Sequence, residues 1–239
     1  MRDGVEAFKE AAELAREIGS SEDLAQAALG VEEVETYVGG ERASIELLEE
    51  ALRALGSGET ILRCRVLSHL ARALLDRGEI ERANELSRGA TDTARRLGDR
   101  RALYDALISE RSARTGYPYS AAQFSEIRRA LDEMLAAAEE IGDPNLVERA
   151  LGRVVPVLLE MGDRPAFEAQ LARHGDSLER HELNSHLYFN ISARAMRAIL
   201  DGEFAEAERP REAGIRRGAR VQQRICGWRL WRPDVYDPP

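Results

Sequence analysis

Two of the 239 residues are cysteine, one is lysine, and only 5% are aromatic. Cys64 and Cys226 stand alone and far apart, which gives neither a disulfide framework nor a zinc site. Few aromatics among abundant alanine, leucine, glutamate and arginine favour helices stacked through small contacts over a strand-rich core. No apolar run approaches the length of a bilayer span, so no membrane partner is expected. The opening MRDGVEAFKE lacks the apolar centre of a signal peptide, and a cytoplasmic location is the expectation. Phosphate-cradling GxxxxGK[ST] and nucleophile GxSxG patterns are missing. Gly56-Ser-Gly-Glu-Thr60 has no lysine and reads as a turn. These absences predict a non-enzymatic chain with no cofactor, no metal and no catalytic residues.

Charge is plentiful and unevenly spread. Charged residues make up 32% of the chain and the net charge is −9. Residues 1–60 hold fifteen acids against five bases, whereas 209–232 hold eight arginines and one glutamate. The acidic balance argues against a nucleic-acid binder. The arginine-rich end, with Trp228 and Trp231, is the one stretch able to follow a phosphate backbone and stack on bases, but no recognition helix accompanies it.

Residues 61–98 show the organising unit. Leu62, Val66, Leu70 and Leu74 recur every fourth residue, with Leu67, Ala71 and Leu75 in the next row. Side chains three and four apart share a helical face, so the two rows form one broad apolar stripe. Arg63, Arg65, Arg72 and Asp76 fall outside that stripe, and Arg63 reads as a surface residue. The pattern breaks at Asp76-Arg77-Gly78-Glu79, where glycine is free to end a helix in the left-handed conformation. It resumes with Ile80, Ala83, Leu86, Ala90 and Ala94 and stops at Gly98.

The same rhythm runs along the chain. Helices are predicted over 4–18, 20–38 and 42–55, then over the pair above, then from Asp99 to about 115. Ser120 with Gln123 matches a capping box for a helix to Ile141. Gly142-Asp143-Pro144 ends one helix and starts the next, in which Pro156 should introduce a kink. A helix holding Phe167 and Leu171 is expected to lose regularity over 174–183. The final pair is predicted over 184–201 and 203–218, turning at Gly202. Turns near 40, 78, 116, 162 and 202 lie roughly forty residues apart, and turns near 19, 58, 98 and 142 interleave with them. Two interleaved series at one period predict an all-α, right-handed solenoid of about five antiparallel helix pairs. It would occupy 1–220, leaving 221–239 as an atypical tail.

Leu67, Leu70, Ala71, Leu74, Gly78, Ile80, Ala83 and Ala90 fit the spacing of the tetratricopeptide repeat (TPR), and the unit resembles a divergent copy of it without the aromatic positions. Boundaries of the form Ile18-Gly19-Ser20, Leu97-Gly98-Asp99 and Ile141-Gly142-Asp143, and the run Ala193–Glu208, resemble the repeat region of large bacterial LuxR-type, maltose-activator-like signalling ATPases. That resemblance implies repeats that sense an inducer or partner behind a nucleotide-binding module and ahead of a DNA-binding helix–turn–helix. Neither module lies within these 239 residues. Pro210 and the tail depart from the pattern.

Scaffolds of this type bind along the concave surface lined by the first helix of each pair. Alignment on Gly78 places Arg65, Ser68 and Arg72 there, and alignment on Gly162 adds Arg149. The competing reading is that these are solvated arginines. The lysine–asparagine clamp that some TPR domains use for peptide carboxylates is absent. His174, His181 and His186 are spaced wrongly for ligands on one helical face. Glu49-Glu50 and Glu139-Glu140 are adjacent in sequence only, since helical neighbours diverge by about 100°. The expected function is a scaffold for a protein or peptide partner, or a small effector, in a bacterial regulator. The alternative is the repeat part of a nucleotide-dependent ATPase or adenylate cyclase whose catalytic module lies outside this chain. Residues 4–18 carry Phe8, Ala12, Ala15 and Ile18 without a polar cap, which predicts self-association through the terminal repeats.

Overall fold

The computed structural model describes residues 2–38, 43–113, 121–181 and 187–208. Every regular element among them is an α-helix: α1 Arg2–Ile18, α2 Ser21–Val38, α3 Ala43–Leu55, α4 Ile61–Asp76 and α5 Ile80–Leu97. There follow α6 Arg100–Ala113, α7 Ala121–Ile141, α8 Pro144–Glu160, α9 Arg164–His181 and α10 Leu187–Leu200. A further helical segment occupies 204–208, and the tail from 209 lies outside the described residues.

Each helix packs on the next, and the even-numbered helices also pack on one another, α2 on α4, α4 on α6, and α8 on α10. α6 and α8 meet through Tyr104, whose buried hydroxyl donates to the Leu146 carbonyl at 3.0 Å. This connectivity is that of an all-α solenoid of helical hairpins. Arg149 of α8 reaches Glu33 of α2 at 3.5 Å, so the even-numbered helices face one another across the inside of the curve.

Local chemistry sets the turns. Thr60, Ser20, Asp99, Asp143 and Asp163 each accept a hydrogen bond from an amide in the first turn of the helix that follows. Gly98 takes φ 68° and returns its amide to Ala94, the left-handed stop that a Cβ would strain. Gly30 has another role: the Phe8 ring lies where its Cβ would stand, locking α1 onto α2.

The apolar core has two parts, and α4 contributes to both. Leu24, Leu48, Leu70 and Leu74 belong to the part built on α1–α5. Cys64, Leu107, Met134, Leu151 and Phe167 belong to the part that extends to α10.

Two expectations need correction. α9 stays regular through His181, because buried His174 and Leu178 hold its second half against its neighbours. Arg63 is not a bystander: its Nη1 donates to the carbonyls of Leu52 (3.0 Å) and Gly56 (2.5 Å), satisfying the end of α3.

Leu70→Ala should destabilise the chain by about 2–5 kcal/mol as a buried large-to-small change. Arg63→Ala should cost about 1 kcal/mol through the orphaned carbonyls. The exposed Glu85→Ala should stay within about 0.5 kcal/mol. Urea titrations that fail to rank the three in this order would show the packing to be wrong.

Candidate functional site

α4 lies between α2 and α6 and turns four polar residues toward them. Arg65, Ser68, His69 and Arg72 occupy two turns of this helix. Ser68 is buried, and its hydroxyl donates to the Cys64 carbonyl one turn back at 2.9 Å. Below it, the Cys64 thiol reaches the Ala90 carbonyl at 3.1 Å, and burial pushes that thiol up to about 11. Neither group is offered to a ligand.

The other three side chains join a buried network. Glu32 of α2 has no exposed surface. Its Oε1 accepts from Arg72 Nε at 3.0 Å, and its Oε2 accepts from Arg72 Nη2 and from His69 Nδ1, the latter at 2.7 Å. On the other side, His69 Nε2 lies 3.5 Å from Asp105 Oδ2 of α6, an ionic contact rather than a hydrogen bond. Asp105 also accepts from Arg65 Nε at 2.9 Å and from Arg101 Nε at 3.3 Å, one arginine on each carboxylate oxygen.

Protonation states follow from this geometry. With Nδ1–H donated to Glu32, a neutral His69 would aim its remaining lone pair at the Asp105 carboxylate. An imidazolium places N–H there instead. Burial and Arg72 oppose the charge, but Asp105 and Glu32 outweigh them and hold His69 above its ordinary value. Burial likewise pushes Glu32 and Asp105 up. Arg72 and His69 more than reverse this for Glu32, as His69, Arg101 and Arg65 do for Asp105, leaving both well below the usual carboxylate range.

The four residues singled out in the sequence therefore occupy two places. Arg65, Ser68 and Arg72 share α4, and Arg65 and Arg72 are drawn into one network by His69. Arg149 stands across the groove on α8, against Glu33, the neighbour of Glu32. Glu32, His69, Arg101 and Asp105 were missed. The available signal was opposite charge at the repeat period: 37 residues separate Glu32 from His69, and 40 separate Arg65 from Asp105.

The remaining titratable pairs gather no chemistry. His174 Nε2 lies 3.1 Å from Glu148 Oε2 between α9 and α8, both side chains being buried. His181 is exposed, His186 lies outside the described residues, and no group of three potential ligands forms a metal site among those described. Glu49 and Glu50 reach different arginines, Arg82 and Arg16, as Glu139 and Glu140 reach Arg173 and Arg100. A cavity of about 590 Å³ lies among α7, the start of α8 and α9, lined by Glu139, Pro144, Val147, Arg173, Asp176 and His181. Its lining charges are mixed.

The buried network makes stability depend on pH in two directions. Glu32 and Asp105, held low, contribute stability that is complete above their ordinary values of about 4 and is lost as pH falls below them. His69, held high, contributes stability that is complete below about 6.5 and is lost as pH rises through its native value. Thermal melts from pH 3 to 9 should peak between these arms. His69→Gln should flatten the alkaline arm and also shallow the acid arm, since His69 helps hold both carboxylates low, and an unchanged alkaline decline would contradict the assignment.

No family model matches the chain, and no curated protein matches it. Solved structures do. BtubC (BKLC) from P. vanneervenii aligns over 100% of this chain and 96% of its own, with TM-score 0.64 and 12% identity. A Rap protein complexed with competence and sporulation factor aligns over 92% of this chain and 65% of its own, with TM-score 0.65 and 17% identity. Aspartyl phosphate phosphatase F from Bacillus subtilis aligns over 97% and 67%, with TM-score 0.59 and 12% identity. The chain thus spans about two thirds of the latter two proteins. At these identities the likeness is one of fold, a helical repeat.

Proposed function

We propose that this chain is a non-enzymatic scaffold that binds a protein or peptide partner along the inner wall formed by α2, α4, α6 and α8. The observation that carries the reading is the placement of charged side chains on that wall. Arg65, Arg72 and Arg149 keep part of their surface open to the groove, while the carboxylates that orient Arg65 and Arg72 lie beneath. The similar Rap protein, solved as a complex with competence and sporulation factor, supports a bound occupant for such a fold. The resemblance of Ala193–Glu208 to LuxR-type ATPase repeats supports a place within a bacterial regulator.

Peptides selected from a random library against the chain, each carrying a photocrosslinker, should attach to α4, α6 or α8. Attachment confined to α5, α7 and α9, or no selection at all, would refute the groove.

Self-association is the second part of the proposal, carried by exposed apolar side chains near both ends. Leu14 and Ile18 are open on α1, and Met196, Ile199 and Leu200 are open on α10, with Phe204 just beyond. Phe8 is excluded as a probe, because it covers Gly30. Light scattering across a concentration series should show association that the double change Leu14→Glu and Ile18→Glu abolishes. A monomeric parent, or association indifferent to the change, would sink the idea.

A further inference from the structure

The inner wall holds two arginines from adjacent helices on a single carboxylate. Arg65 of α4 and Arg101 of α6 use Nε alone for Asp105, and among the described residues neither makes another hydrogen bond. A guanidinium has five N–H donors in a rigid planar fork, so four remain on the two Nη atoms of each. The exposure is graded in the same sense. Asp105 is 5% exposed, Arg65 20% and Arg101 32%, so the acid lies at the bottom and the forks toward the groove. Asp105 therefore fixes the arginines without covering the donors a ligand would meet.

Resting on the groove reading above, we propose that Arg65 and Arg101 form a carboxylate-binding site and that the partner is an acidic peptide segment. An Arg–carboxylate contact is frequently bidentate, with two parallel N–H···O bonds. Two forks already held by Asp105 lose little freedom when such a contact forms, which favours binding. The wall continues in the same character. Arg72 stands two turns further along α4, over buried Glu32, and Arg149 of α8 reaches Glu33 of α2, so cationic positions are spread along the groove. That spread suits carboxylates repeated along a chain better than one compact ion. The whole chain is acidic at −9, so the attraction is local to this wall and screened by salt.

The test uses the whole chain and fluorescence anisotropy with labelled peptides of equal length, built on glutamate, serine or lysine. The glutamate peptide should bind about tenfold or more tightly than the other two. Arg65→Gln with Arg101→Gln should weaken it by a similar factor, whereas Arg96→Gln on the outer surface should not. Arg65→Lys with Arg101→Lys keeps the charges against Asp105 but removes the forks. It should weaken binding as well, and it decides the matter if the glutamine pair fails to fold by circular dichroism. Equal binding of the glutamate and serine peptides, or binding untouched by both double variants, would overturn the site. Displacement of the peptide by inorganic phosphate beyond the effect of matched sodium chloride would overturn the peptide assignment. Failure here together with crosslinking of library peptides to α4, α6 or α8 would refute the acidic partner and leave the groove.

Discussion

Glu32 is a carboxylate with no access to water, and Asp105 is nearly as enclosed. Taking such a group out of water costs several kcal/mol after relaxation, unless charge and hydrogen bonds are supplied where it lands. Here α4 supplies them to both sides. Arg72 and His69 face Glu32, and Arg65 and His69 face Asp105. The three inner helices must therefore keep a fixed relation, since a slip of one turn would strand a buried charge. Apolar packing tolerates small displacements. This network does not, and it sets how α2, α4 and α6 lie against one another.

The outer surface uses the same pairing more loosely. Arg16 reaches Glu50 through two hydrogen bonds, Arg95 reaches Glu133, and Arg164 reaches Asp201, over separations of 34, 38 and 37 residues. Exposed pairs contribute about 0–1 kcal/mol each. Their common spacing gives them weight together, because each joins one hairpin to the next. Arginine suits this work through its flat fork, and a chain with a single lysine has built its ladder almost wholly from it.

The fold was legible because its cues are local. Glycine after an apolar stripe and an acceptor side chain at the next helix start are readable within one hairpin, and the period near forty residues follows from their recurrence. Each of the seven described turns holds a glycine with positive φ. The site was only half legible. Arg65, Arg72 and Arg149 could be placed on the inner face from repeat alignment, but their partners lie a whole repeat or more away. His69 sits amid the stripe of α4, where periodicity expects leucine, and only Glu32 and Asp105 explain it. Arg63 was misread for a related reason: the carbonyls it meets belong to the preceding helix.

The sharing of α4 between two apolar cores has a mechanical consequence. Cys64 is seated in one core, and Val66, Leu70 and Leu74 in the other. The helix is thus an axle with a bearing on each side. A roll of α4 about its axis is opposed by both cores at once and by the buried carboxylates that hold Arg65 and Arg72. Torque on α4 is therefore borne by the two halves of the array together.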